Sequence, residues 1–296
     1  MINKSIYFLH IPKTSGTSIT YFFDKFYKKK EIFPYKRWDL AFKDKNQKEL
    51  SNLLIKKSYK FFRGHFQLQK EFAQNKFIFT FLRNPIDRTI SQYKHIIKFP
   101  DGNGWVNQQF LKSPSEPLKK ILKDKFRSVK ITNIQVKYLS TTLNPLHEKI
   151  NISKFLLCEN NKFISYPINH PNIALIKAIF NLFNLDFFGL QEYHEESILM
   201  LCDKLKINAP LLKNKKMVSD PQLRNIGYDI ETQNLLNSTN DLDNKLYILS
   251  RHIFENKMIL FINSKLNRKL TLYSYLSNRN NYLYQLTQKQ LENLNG

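Results

Sequence analysis

Ser5-Ile6-Tyr7-Phe8-Leu9-His10-Ile11-Pro12-Lys13-Thr14-Ser15-Gly16-Thr17-Ser18 holds the turn on which the fold depends. Its first six residues form a short, mostly apolar run, which suits a strand buried on both faces of a parallel sheet. The run breaks at Ile11-Pro12, and Gly16 follows four residues after Pro12. From about Thr17 to Tyr27, Ile19, Phe22, Phe23 and Phe26 share one face, which predicts an amphipathic helix. A strand, a tight loop and a helix start in that order resemble a phosphate loop. Backbone N–H groups around Ser15 to Ser18 would point at an anion, and the helix dipole would favour it. Thr14, Thr17 and Ser18 add hydroxyl donors, and Lys13 adds a charge. The loop is not a Walker A motif, which needs Gly-Lys followed by Ser or Thr. Here Gly16 is followed directly by Thr17, the lysine lies on the strand side, and no convincing acidic partner for magnesium is seen. Taken alone, a Pro-Lys turn capped by Thr and Ser explains the loop equally well.

Outward from this turn, the pattern alternates. Tyr59-Lys60-Phe61-Phe62-Arg63 reads as a second strand ending at Gly64-His65. Lys76-Phe77-Ile78-Phe79-Thr80-Phe81-Leu82 reads as a third, ending at Arg83-Asn84-Pro85. A helix follows to about Lys98, with Asn84 as N-cap, Pro85 at the first position and Asp87 in the first turn. Residues 28–57 read as loop plus a short helix, and 105–141 as helical. Phe155-Leu156-Leu157-Cys158 is a possible strand in an ambiguous stretch. Further helices are expected over 173–183, 194–205 and 242–266, and a strand over Phe187-Phe188-Gly189-Leu190. The expected class is α/β, a parallel sheet flanked by helices in a P-loop-like nucleotide-binding arrangement. We expect one domain over 1–266 and a peripheral extension over 267–296. In such sheets ligands bind beyond the carboxyl ends of the strands. Lys13, His65 and Arg83 follow three of those ends.

Composition narrows the classes. The 296 residues are 42% hydrophobic and 14% aromatic, enough for a large core and unlike a disordered chain. No run approaches the ~18 apolar residues that read as a membrane span. The N-terminus lacks the apolar region and cleavage site of a secretory signal. Cys158 and Cys202 make neither a disulfide framework nor a metal motif. A cytoplasmic location is therefore expected. The net charge is +23, from 38 Lys and 9 Arg against 24 acidic residues. It suggests nucleic acid, an anionic lipid surface, a polyanionic glycan or a nucleotide as partner without choosing among them. An AT-rich genome would also yield such a lysine excess. With so few arginines, those set beside other polar groups carry more information.

One such group is Leu82-Arg83-Asn84-Pro85-Ile86-Asp87-Arg88-Thr89-Ile90-Ser91-Gln92-Tyr93. The Arg83 fork at a strand end and the Ser91 hydroxyl two turns into the helix together suit a second phosphate. A capped helix with a solvated Arg83 is the alternative. The two motifs, Ile11-Pro12-Lys13-Thr14-Ser15-Gly16-Thr17-Ser18 and then Leu82 to Arg88 with Ser91, together resemble the sulfotransferases that use 3′-phosphoadenosine-5′-phosphosulfate (PAPS). The most similar branch is that of carbohydrate sulfotransferases related to uronyl and heparan-sulfate 2-O-sulfotransferase. Asn133-Ile134-Gln135-Val136-Lys137-Tyr138-Leu139 and Phe187-Phe188-Gly189-Leu190-Gln191-Glu192 are similar to later blocks of that family, and the resemblance covers about Ile6 to Leu266. Ser15 stands where Gly or Ala is commoner, and Asn84 where Asp is common.

The resemblance implies that the first loop, Lys13 to Ser18, cradles the 5′-phosphosulfate and that Arg83 with Ser91 holds the 3′-phosphate. It also places a catalytic base at His65, within Arg63-Gly64-His65, and basic cofactor contacts at Lys215 and Lys216, where a solvated lysine pair is the alternative. An imidazole of ordinary pKa, ~6.5, is largely neutral near pH 7 and able to take a hydroxyl proton. Lys13 would neutralise the leaving phosphate, and the scheme requires no metal. His10 and Lys137 are weaker candidates for the acceptor side, against a structural histidine and a solvated helix face. Glu192, Glu195 and Glu196 are alternative bases or plain helix-start charges. The expected activity is sulfuryl transfer from PAPS to a glycan hydroxyl. The alternatives are a nucleotide or sugar kinase and a non-enzymatic basic polyanion-binding protein.

Overall fold

A computed structural model describes residues 5–33, 59–64, 75–98, 117–140, 168–209 and 228–295. His65, Lys215, Lys216 and the possible strand at 155–158 lie outside them. The order is β1 (Ile6–Leu9), α1 (Gly16–Phe23), a single 3-10 turn at Lys29–Glu31, β2 (Ile32–Phe33), β3 (Phe61–Gly64), β4 (Phe77–Leu82) and α2 (Pro85–Lys98). Then come α3 (Leu118–Lys123), α4 (Lys125–Ser128), α5 (Ile134–Ser140), α6 (Pro171–Phe183), β5 (Phe187–Leu190) and α7 (His194–Leu205). The chain closes with α8 (Ile230–Thr239), α9 (Asp241–Leu266), α10 (Leu272–Ser277) and α11 (Arg279–Asn295). The class is α/β, as expected.

Among the described residues five strands form one sheet in the order β2-β3-β1-β4-β5 with every pairing parallel. Ile6 pairs with Phe61 on one side and Phe77 on the other, so the central β1 has β3 and β4 as neighbours. Connections run to opposite sides from β1, which opens a crevice beyond its carboxyl end. All four residues of β1 and of β5 are buried, which is why these strands read as unbroken apolar runs.

Aromatic rings fix the layers. On one face Phe8 stacks on Phe79 at 4.8 Å, and Phe23 of α1 reaches Phe61 and Phe79 at 5.6 and 5.3 Å. α7 closes on the same face at Gly189, where any Cβ would fall 2.8 Å from the Ser197 Cβ and 2.7 Å from the Phe81 ring. On the other face Phe254 of α9 meets Phe188 at 6.2 Å. α9 buries Leu246, Ser250, Phe254, Met258, Ile262 and Leu266, a steady helical repeat. A smaller cluster of Tyr93, Ile96, Ile121, Leu122, Ile131 and Leu236 joins α2, α3 and α8.

Three expectations need correction. The first helix ends at Phe23, earlier than Tyr27, because the chain turns there and Tyr27 stacks on Phe61 at 5.4 Å. Ile32-Phe33 is a short edge strand, not loop; two residues carry no period, and only pairing with β3 makes them a strand. The stretch 105–141 is, where described, helical as expected, in three short helices, with Asp124 capping α4 through the Phe126 and Arg127 N–H groups. The C-terminal segment, expected at the periphery, sends Tyr275 and Leu286 into the main core. Tyr275 Oη donates to Glu196 at 2.6 Å, and Arg279 pairs with Glu195 and Glu196. That pairing occupies two of the three carboxylates considered as bases. Among the described residues no helix is long and apolar enough to cross a membrane.

Candidate functional site

The loop between β1 and α1 owes its shape to its backbone. Lys13 and Ser15 both adopt left-handed conformations, with φ of 69° and 71°. A left-handed Ser15 followed by helical Gly16 turns successive N–H groups toward one side, the geometry of an anion nest. Ser15 makes no side-chain cap, and its carbonyl accepts the Ser18 and Ile19 N–H groups at 3.1 and 3.3 Å, so the earlier N–H groups of the turn are those a helix start offers to an anion. Thr14 is fully buried and its hydroxyl donates to the Ile11 carbonyl at 2.8 Å. It therefore braces the loop from inside, whereas Thr17 is exposed and Ser18 half-buried at the helix start. Thr80 of β4 donates to the Leu9 carbonyl at 2.7 Å and ties the loop's origin to the neighbouring strand.

His10 stacks on Phe8 at 5.0 Å and lies over Gly16, so close that an added Cβ would come within 1.5 Å of the imidazole Nε2. Glycine is required at 16 because the backbone passes directly under a ring. His10 is placed as a wall of the loop.

Arg83 brings the second motif to the first. Its Nη1 donates to the Lys13 carbonyl at 3.3 Å across the carboxyl ends of β1 and β4. The Arg83 backbone is held on both sides by one amide: its N–H donates to Gln135 Oε1 at 2.9 Å, and Gln135 Nε2 donates to its carbonyl at 3.0 Å. Asn84 caps α2 as expected, its Oδ1 accepting from Ile86 and Asp87 N–H at 3.0 and 3.2 Å. Its own N–H donates to Glu192 at 2.7 Å. Glu192 thus positions the turn and is engaged as an acceptor. Ser91 lies on α2, half-buried.

Behind this turn lies a buried charged cluster. Arg88 is fully buried; Nη2 reaches Thr89 Oγ1 at 3.2 Å and the Ile131 carbonyl, while Nε and Nη1 find no acceptor. Asp243, also fully buried, accepts from the Gln135 and Val136 N–H groups at 3.0 and 2.8 Å and so caps α5. Lys137 is buried too, and its Nζ donates to the Val129 carbonyl. It does not sit on a solvated helix face. Burial, helped by Arg88 and opposed by Asp243, pushes its ammonium down to about 7.

The electrostatics single out Lys13. Burial, then the Arg83 and Arg88 charges, push its ammonium down to about 8. Burial and Arg83 likewise push Arg88 down to about 10, against the pull of Asp243 and Tyr138. Lys13, Arg83 and Arg88 repel one another, offset in part by Asp243 beside Arg88 and by Asp87 and Glu192 beside Arg83. An anion at the β1 and β4 ends relieves that repulsion. The arrangement suits a ligand with more than one anionic group and can neutralise charge that grows on a leaving oxygen.

In sequence, Gln135 and Asp243 carry no assigned role, and Arg88 stands in the second motif without any sign of its burial. Gln135 stood in a block noted for its family likeness, but nothing in one chain signals a bond to a residue so distant. No curated protein matches the chain. A family model described as the sulfotransferase family matches residues 3–250. That span takes in both the β1–α1 and β4–α2 turns and the strands that carry them, and the chain belongs to the sulfotransferase family.

Proposed function

We propose that the protein transfers a sulfuryl group from PAPS to a hydroxyl of a glycan. The observation that carries this reading is the Arg83–Lys13 contact, which unites two separate anion motifs at one crevice. One anionic group would lie at the N–H groups of Ser15 to Ser18 with Lys13, the other at Arg83 and Ser91. A donor with separate 5′ and 3′ anionic groups matches that pair better than a single polyphosphate. PAPS supplies the activated sulfuryl group when bound; the chain's task is to align, desolvate and neutralise.

Lys13, charged at neutral pH though only partly buffered against loss of its proton, would stabilise the leaving phosphate. His65, one residue beyond the end of β3, would take the acceptor hydroxyl proton. Its role rests on the family likeness. The glycan acceptor likewise rests on likeness to the carbohydrate branch.

The test is an acceptor screen with labelled PAPS and mass readout, alongside binding of PAP, the desulfated product, and of ATP with magnesium. PAP is expected to bind and ATP–magnesium to bind much more weakly; the reverse preference would favour a kinase. His65→Ala should keep PAP affinity and lose roughly 10²-fold or more in turnover. Unchanged turnover removes His65 from the chemistry.

A further inference from the structure

α2 carries a second cation on the face that holds Ser91. Asp87, Ser91 and Lys94 stand at i, i+4 and i+7, which share one side of a helix. Helical side chains lean back toward the N-terminus, which directs the Lys94 stem toward the turn that holds Ser91, whose Cα is ~4.5 Å nearer Arg83 along the axis. Arg83 leaves β4 just before the Asn84 cap, at the N-terminal end of this face. Lys94 is half-buried and within the electrostatic reach of Arg83 and Asp87. Burial and the Arg83 charge hold its ammonium below the usual lysine range, and Asp87 offsets part of that. Arg83, just ahead of α2, and Lys94, on the Ser91 side of the helix, repel each other, and one multi-oxygen anion would stabilise both. A phosphate monoester can accept from all three.

We infer that Lys94 is a further ligand-binding residue: with Arg83 and Ser91 it takes a monoester phosphate and sets discrimination for a 3′-phosphorylated nucleotide over one with a free 3′-hydroxyl. The assignment rests on the donor reading above and extends it to a residue that neither motif contains.

The test is calorimetric titration of the full chain, Lys94→Met and Lys94→Arg with PAP and with adenosine 5′-monophosphate, which differ only in the 3′-phosphate. Wild type is expected to prefer PAP. Lys94→Met should lose about tenfold toward PAP and less than about twofold toward the monophosphate, as expected for one charge-assisted contact. Lys94→Arg, which keeps stem and charge, should hold most of the PAP affinity and guards against a folding defect. A Lys94→Met protein that keeps the full PAP preference overturns the assignment, as does equal loss toward both nucleotides. If wild type itself does not distinguish them, the donor reading fails and this inference falls with it.

Discussion

The two turns that meet at the crevice are built in opposite ways. The β1–α1 loop is shaped by its own backbone: left-handed Lys13 and Ser15, an inward Thr14, and Gly16 pressed under the His10 ring. The β4–α2 turn has ordinary helix-start geometry and is held from outside, by Gln135 on the Arg83 backbone and Glu192 on the Asn84 N–H. The first should therefore be sensitive to substitutions within itself. The second should be sensitive to residues far away in the chain. It teaches that a motif's residues and the residues that hold the motif in place need not be neighbours in sequence.

The largest expected effect is at Gly16. Gly16→Ala must displace the imidazole from its stack on Phe8, an overpacking change of about 1–3 kcal/mol in urea unfolding, with loss of PAP binding. His10→Ala should relieve much of that cost, so a double-mutant cycle should show strong coupling. An additive cycle would mean that His10 does not press on the loop.

Next comes the outer brace. Gln135→Ala leaves both the Arg83 N–H and its carbonyl without a partner, costing about 1–3 kcal/mol of stability for unpaired groups. PAP affinity should fall more than affinity for a nucleotide lacking the 3′-phosphate. Equal losses would show that Gln135 supports the sheet ends generally and not the Arg83 turn.

The third is a pH effect confined to the first loop. The Lys13 ammonium is depressed to about 8 in the folded chain, below its ordinary value. The unfolded chain then holds this proton more tightly above that pH, so the group's contribution to folding stability rises as pH climbs from about 8 toward about 10.5. A bound anion acts the other way and raises the Lys13 pKa. PAP should bind with proton uptake near pH 8, and its affinity should fall by up to about tenfold per pH unit above that. Calorimetry in two buffers of different ionisation enthalpy measures the uptake. Arg83 keeps its charge throughout, so Lys13→Arg should flatten the profile. A wild-type profile that is flat from the start would place Lys13 away from the anion.

The smallest effect has the opposite sign. Ser15→Gly removes a left-handed strain of about 1–2 kcal/mol but adds backbone freedom to the unfolded chain, so stability should rise by only a few tenths of a kcal/mol. A clear loss in thermal unfolding would mean that the Ser15 side chain holds the loop.

Much of this molecule was legible in order of sequence. The apolar runs at Ile6–Leu9, Phe77–Leu82 and Phe187–Leu190 are strands because residues buried on both faces must be apolar throughout. Asn84-Pro85 announces a helix start because a cap and a proline act on their nearest neighbours. The same locality made the first loop readable, since Gly16 answers to a clash only six residues away at His10. Ile32-Phe33 became a strand and Gln135 a brace only through partners far along the chain, and Lys137 is a buried cation within reach of the distant Asp243 and Arg88. Arg88 and Asp243 look like surface charges in sequence and are fully buried in the structure. Caps, breaks and periodicity are local and leave marks in the chain itself; desolvation and long-range hydrogen bonds depend on which surfaces meet, and that is decided only when the layers close.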